Sequence, residues 1–322
     1  MKFKLTVLAA AIAFSGTALA NGNNSDVEQN GYGNNADITQ LTHFWGGNNN
    51  SDVSQDGAYN NATVHQQGWW GGNVSEIDQH GLGNSADVFQ DGTTNTASIT
   101  QEGMFNSSDS QQKGWNNVLQ VEQAGVKNNA STFQNGWDNY ANVSQSGFAN
   151  TSDMVQEGNQ NIAQVRQDGA KLTSDISQFG KNNYSDVEQS GSFNDSMIVQ
   201  KGRGNVAEVL QSGMLNDSDI TQTGKNNTAT VEQSNINNDA IIVQNGTYNS
   251  SEVTQSGYND LADSYQSGYG HTSTITQSAA SGFIGGLLSV ASNSANHTQL
   301  GMNNSATTTQ VGGGNVTNVY QH

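Results

Sequence analysis

The sequence predicts an all-β protein: a β-solenoid of stacked strand–turn–strand layers with 22 residues per layer, cross-β in character if it polymerises. Three observations predict it. Gln returns at every eleventh residue, side chains alternate with period two ahead of each Gln, and Gly follows most Gln by two residues. A fixed period marks one structural unit stacked on copies of itself. Period two marks a strand with one set of side chains on each face. Gly supplies the backbone freedom that reverses a chain.

In chain order, residues 1–20 read as an export leader. Lys2 and Lys4 form a basic start, Leu5 to Phe14 an apolar stretch too short for a bilayer, and Ala18-Leu19-Ala20 a small-residue cleavage site. Residues 21–322 read as the repeat array. Its Gln series opens with Gln29, Gln40, Gln55 and Gln66. It then runs unbroken through Gln79, Gln90, Gln101, Gln112, Gln123, Gln134, Gln145, Gln156, Gln167, Gln178, Gln189, Gln200, Gln211, Gln222, Gln233, Gln244, Gln255, Gln266 and Gln277. Leu288 takes the next place, and Gln299, Gln310 and Gln321 resume the phase. The phase slips near 41–50, where His43 to Gly47 are inserted, and near 67–74, around Trp69 to Gly72. Both insertions fall where turns belong, and turns tolerate insertion. Residues 279–290 are apolar and Gly-containing. Their preserved spacing favours a degenerate pair of strands kept in phase over an extruded loop, and predicts the weakest ladder step at Leu288.

Within a unit, counting back from Gln189 places Val187, Ser185 and Asn183 on one face and Glu188, Asp186 and Tyr184 on the other. The inward set is therefore one aliphatic residue, one small residue and two amides. Asn84, Asn128, Asn183, Asn205 and Asn216 hold the same place in their units. A buried amide is costly unless paired. Stacked in register, each can bond the identical amide above and below, because Gln and Asn carry both donor and acceptor. Gly81, Gly92, Gly103, Gly114, Gly191 and Gly213 are the expected turn residues. Turn aromatics such as Trp115, Trp137, Phe148 and Tyr269 are expected to pack within the turns rather than bind ligands. Ser and Ala alternate at the small position, as at Ser51/Ala62 and Ser75/Ala86, which supports a layer of two unequal halves.

Composition narrows the function. There is no Cys, so closure does not use disulfides, and no Pro, as continuous paired strands require. Two of the ten basic residues lie in the leader, so eight face 28 acidic ones and the exported chain carries −20. That excludes nucleic acid, which needs clustered Lys and Arg, and docking on anionic lipid. No segment after the leader is long enough for membrane insertion. Six scattered His have no metal-ligand spacing and are expected at the solvated surface. Carboxylates that recur in every layer are structural rather than catalytic. Gly31-Tyr32-Gly33 lacks the following helix and Lys of a phosphate loop. No catalytic site, metal or cofactor is expected.

The run Ser75-Glu76-Ile77-Asp78-Gln79-His80-Gly81-Leu82-Gly83-Asn84-Ser85-Ala86-Asp87-Val88-Phe89-Gln90 resembles the curlin repeat, as does Ser25 to Gln40. The chain is similar to the major fibre subunit of curli, a secreted bacterial functional amyloid, and the resemblance covers nearly all of residues 21–322. The resemblance implies a β-solenoid that polymerises with itself end to end into fibres for adhesion and biofilm matrix. It also implies export through the periplasm with accessory proteins and an outer-membrane secretion pore, and nucleation by a minor subunit. This chain is far longer than the usual family subunit, and only Asn21 to Asn24 precede the first repeat where the family carries a Gly-rich secretion segment.

From the residues themselves, repeats run almost to both ends, so open strand edges are expected to be the joining surfaces. Asp87, Asp153, Asp175, Asp186 and Asp219 flank core positions and are expected to act as gatekeepers against premature aggregation, or simply to solvate the outer face. Two rival functions are a nucleating minor subunit and a monomeric ice- or carbohydrate-binding solenoid. The uncharged stretch Asn303 to Gln321 weighs against the first, and an outward face that is mostly acidic weighs against the second.

Overall fold

The computed structural model describes residues 22–42, 48–68, 71–278, 282–284, 287–289 and 292–322. The predicted leader lies outside them, as do 43–47 and Trp69 and Trp70 in the two irregular turns. The described residues form 28 strands and no helix. No helix is therefore long and apolar enough to cross a membrane.

Two parallel sheets of 13 strands each make the solenoid. The first begins with Asn24–Tyr32 and the second with Asn35–Thr42, and consecutive strands alternate between them. Each strand therefore stacks on the strand one layer away. Val187 lies between Val165 and Val209, and Gln189 between Gln167 and Gln211, with no slip of register. Period two is visible in burial: along Tyr184–Ser192, Ser185, Val187 and Gln189 are buried while the residues between them are not.

Burial of one aliphatic side chain per strand makes the apolar core. Val165, Val187, Val209 and Val231 form its column in the first sheet, and Ile176, Ile198, Ile220 and Ile242 in the second. Each such burial contributes about 1.5–3 kcal/mol. Ala or Ser beside it is also buried, and this small position faces the Gln of the other sheet, as Gln178 Nε2 lies 3.0 Å from Ser185 Oγ. Ser110, Thr132, Ser264 and His297 occupy aliphatic places in the second sheet, so the core is locally polar.

Gly191 shows why Gly is fixed near each strand end. It sits at the next-to-last position of Tyr184–Ser192 with φ +98°, and a Cβ there would lie 2.0 Å from the carbonyl oxygen of Gly213 one layer on. Gly81, Gly92, Gly103, Gly114 and Gly213 repeat this, with φ between +104° and +135°. They thus bend the strand end, and crowding between layers is as strong a constraint as the turn. The left-handed residue that completes the reversal comes two positions later and is usually not Gly: Phe193 at +58°, Lys171 at +55° and Asn182 at +55°.

Residues 279–291 differ from expectation. Leu261–Tyr269 pairs directly with Ser294–Met302, and Thr272–Ser278 with Ser305–Val311, so neither ladder contains the segment. Gly282–Ile284 and Leu287–Ser289 pair antiparallel with each other, placing Leu288 opposite Phe283. The segment is a hairpin inserted in a turn, not two strands kept in phase. Two short antiparallel strands satisfy each other's backbone groups, whereas insertion into a ladder would need the parallel register of a full unit. Excising eleven residues from 279–291 is expected to leave the thermal midpoint within the equivalent of about 1 kcal/mol. A cooperative loss of the last layers, seen by hydrogen exchange, would show that the hairpin supports the ladder.

Candidate functional site: the amide ladders and their open ends

The Gln columns form two continuous chains of hydrogen bonds. In the first sheet Gln29 Nε2 donates to Gln55 Oε1 at 2.6 Å, Gln167 to Gln189 at 2.8 Å and Gln189 to Gln211 at 2.8 Å. In the second, Gln40 donates to Gln66 at 2.8 Å and Gln178 to Gln200 at 2.9 Å. The ladders pass the hairpin without a gap: Gln266 donates to Gln299 at 2.9 Å and Gln277 to Gln310 at 2.8 Å. The weak step expected at Leu288 therefore does not exist.

From Gln40 onward each amide also does something the repeat pattern did not reveal. Its second hydrogen crosses to the other sheet: Gln189 Nε2 donates to the Thr173 carbonyl at 2.8 Å, and Gln200 Nε2 to that of Tyr184 at 2.8 Å. One side chain thus joins successive layers and clamps the two sheets. No sequence signal carries this, because it depends on how far one sheet is staggered from the other.

The Asn column works differently. The Asn205 backbone N–H donates to Asn183 Oδ1 at 3.2 Å, and Asn205 Nδ2 donates to the same oxygen at 3.2 Å. Asn216 Oδ1 receives both kinds of bond from Asn238. At Asn84 and Asn128 the bonds are to backbone. Asn84 Nδ2 donates to the His80 and Gly103 carbonyls at 3.0 and 3.2 Å, and Asn128 Nδ2 to Ala124 at 2.9 Å, while each Oδ1 accepts the N–H of the next layer. Asn84 and Asn128 are therefore turn fasteners rather than members of an amide ladder: at the bend, backbone groups no longer face one another and need a side chain to complete them.

His271 and His297 correct the expectation of solvated histidines, since both are fully buried. His271 stands in the Asn column. Its Nδ1 accepts the Asn304 N–H at 3.2 Å and its Nε2 donates to the Ser267 carbonyl at 3.2 Å, which reproduces two of the bonds of the Asn pattern. His297 stands in the aliphatic column between Ser273, 2.8 Å from Nδ1, and Thr308, 2.7 Å from Nε2. Both stand where the motif has Asn and Val/Ile, a signal present in the spacing. Among the described residues no group of His, Cys, Asp and Glu could hold a metal ion. Turn aromatics pair along the axis, as with Trp115 and Trp137, stacked at 5.5 Å.

Among the described residues the outermost strands have a neighbour on one side only: Asn24–Tyr32 and Asn35–Thr42 at one end, Ser305–Val311 and Val316–Gln321 at the other. Val27 and Ile38 are only half-buried, whereas Val53 and Val64, next in their columns, are fully buried. The end layers therefore present core positions together with free backbone edges.

The five flanking Asp lie on the outer faces. Asp153 stacks on Asp175, and Asp87 on Asp109. Partial burial holds Asp87, Asp175, Asp186 and Asp219 above the ordinary carboxylate value of 3.8. Neighbouring carboxylates add to this: Asp109 at Asp87, Asp153 and Asp195 at Asp175, and Asp217 at Asp219. At Asp186 the Tyr184 hydroxyl, donating at 3.3 Å, opposes the shift.

The described residues form a cross-β repeat structure whose end strands are open. Residues 73–103, 136–169, 173–202, 194–224 and 202–234 match the family described as the curlin associated repeat. These matched stretches support the curlin family for the chain. No curated protein matches the chain.

Two outcomes are expected. Gln189→Ala removes the acceptor of Gln167, the donor to Gln211 and the donor to Thr173. It should cost about 3 kcal/mol or more in denaturant unfolding, against less than about 0.5 kcal/mol for the outward Glu188→Gln. Equal costs would mean that the amide is not the clamp. The raised carboxylates hold protons more tightly folded than unfolded, so the thermal midpoint should rise as pH falls from neutrality towards 3.8, and stop rising below it. Asp175→Asn should remove part of that rise. His297 acts oppositely: burial holds it below 6.5, so the stability it contributes above that pH is lost on acidification, and hydrogen exchange should loosen first in the last layers.

Proposed function

We propose that the chain is the bulk structural subunit of an extracellular cross-β fibre, exported from the cell and assembled end to end for adhesion and biofilm matrix. One observation carries this reading: the Gln-to-Gln bond that joins layer to layer ends in open edges at which the same bond can join copy to copy. A joining copy continues both sheets, covers Val27 and Ile38, and adds one more rung to each ladder. The reading as bulk subunit rather than nucleator draws on the uncharged last layers, which stack on an incoming copy without like-charge repulsion.

The partners follow from the family: further copies of the same chain, a minor nucleating subunit, periplasmic accessory proteins and an outer-membrane secretion pore. Catalysis plays no part in this reading. The Asp residues beside the core slow association until the chain is outside the cell, because their like charges repel as copies approach.

The chain from Asn21 onward, incubated at low salt, should form fibres giving reflections at about 4.8 and 10 Å. Added fragments of those fibres should abolish the lag. A chain that stays monomeric with the same β content would overturn the reading.

A further inference from the structure

In a chain with so few basic residues, Lys181, Arg203 and Lys225 stack directly on one another. They are register partners at the ends of three successive strands of the second sheet, all exposed. Their neighbours along the column, Asn159 and Thr247, are uncharged. With strands roughly 4.8 Å apart, three like charges are held close enough to repel. No ion pair joins them to any other described residue.

The opposite edge of the same sheet carries the counterpart. Asp195, Asp217 and Asp239 are register partners at the beginnings of strands, flanked by Thr173 and Leu261. Two of these strands start with the carboxylate and end with the cation: Asp195–Arg203 and Asp217–Lys225. The edges are about 26 Å apart, too far to meet within one molecule. The carboxylates line a groove of about 290 Å³ that also includes Phe193 and Leu215. Lys171 of the same chain already lies over the Phe193 ring at 4.9 Å, so an incoming Lys or Arg lays its apolar stem on Leu215 while its charged head reaches the carboxylates.

We infer that copies of this chain associate side by side, the Lys181–Arg203–Lys225 edge of one seated in the Asp195–Asp217–Asp239 groove of the next. A simple sideways translation, with an axial shift of one rung, aligns all three pairs. A two-fold rotation about the long axis would instead set like edges together. The contact is heterologous and does not close, so it lines copies up into flat ribbons. Each exposed pair is weak. The contact therefore rests on the fibre reading above, because stacked subunits repeat it once per copy and make it multivalent.

The test compares fibrils by electron microscopy at low salt, with diffraction recorded in parallel so that loss of fibres is distinguished from loss of pairing. Parent fibrils should lie side by side at low salt and separate at about 1 M salt, where screening shortens to roughly 3 Å. Lys181→Glu with Arg203→Glu and Lys225→Glu should leave the diffraction unchanged and cut the paired fraction about tenfold. Adding Asp195→Lys, Asp217→Lys and Asp239→Lys to that same chain should restore pairing. Pairing that survives the triple change, or is not restored by the six, overturns the contact. So does binding of a polyuronate to single parent fibrils that never pair, which would assign the cation edge to an external acidic polymer.

Discussion

Everything in this molecule is arranged around keeping one amide in register with its copy one layer away. A Gln side chain has two hydrogens and one oxygen. Here all three are used, along the axis in both directions and across to the opposite sheet. That use fixes the register, because a slip of one residue would turn every Gln outward. It fixes the separation of the sheets, because the amide must reach a carbonyl across the core. It also favours a small Ala or Ser beside the aliphatic residue, although Leu119 is buried at that place without breaking the ladder. The apolar core is thin, and buried Gln amides such as Gln189 are stabilising because both of their hydrogens are paired.

The parts of the structure legible in the sequence are those that repeat. Eleven-residue spacing gave the layer, and alternation around Val187 and Gln189 gave the two faces. Two unlike halves were visible in Ser75 and Ala86. What stayed hidden depends on geometry between layers rather than along the chain. Gly191 reads as a turn residue, yet the carbonyl of Gly213 alone would exclude any side chain there. Asn84 reads as one more amide of a ladder, yet its bonds are to backbone. The hairpin at 282–289 was misread because its insertion keeps the eleven-residue phase, so counting could not separate a turn insertion from a degenerate strand. His271 and His297 could have been placed by position alone, since each stands where the motif demands a buried residue.

The comparison with the curlin repeat covers the middle of the chain, where the pattern is most regular. Outside it the same hydrogen-bond pattern continues, from Gln29 to Gln321. Geometry is therefore more conservative here than sequence. His271 in place of Asn keeps two of the three bonds that Asn84 makes, and Asp260 still accepts the N–H of Asn293 at 2.9 Å. Leu172 keeps half of the pattern: it donates its N–H to Asn150 but has no oxygen to offer the next layer.

Layers bonded in sequence also have a mechanical meaning. Tension along the axis passes through every layer boundary in series, while within one boundary the backbone and amide bonds share the load in parallel. Such a filament is as strong as its poorest boundary, and lengthening the chain with good layers does not strengthen it. Poor boundaries lie at Thr228–Gln233 and Ser250–Gln255, where strands shorten to six residues and single bridges at Ile236 replace the missing pairs, and at the last layer, where Ser294–Met302 pairs with Val316–Gln321 over six residues only. A filament of this protein would be expected to fracture within the subunit there, leaving two broken faces that each carry intact Gln columns and can join again.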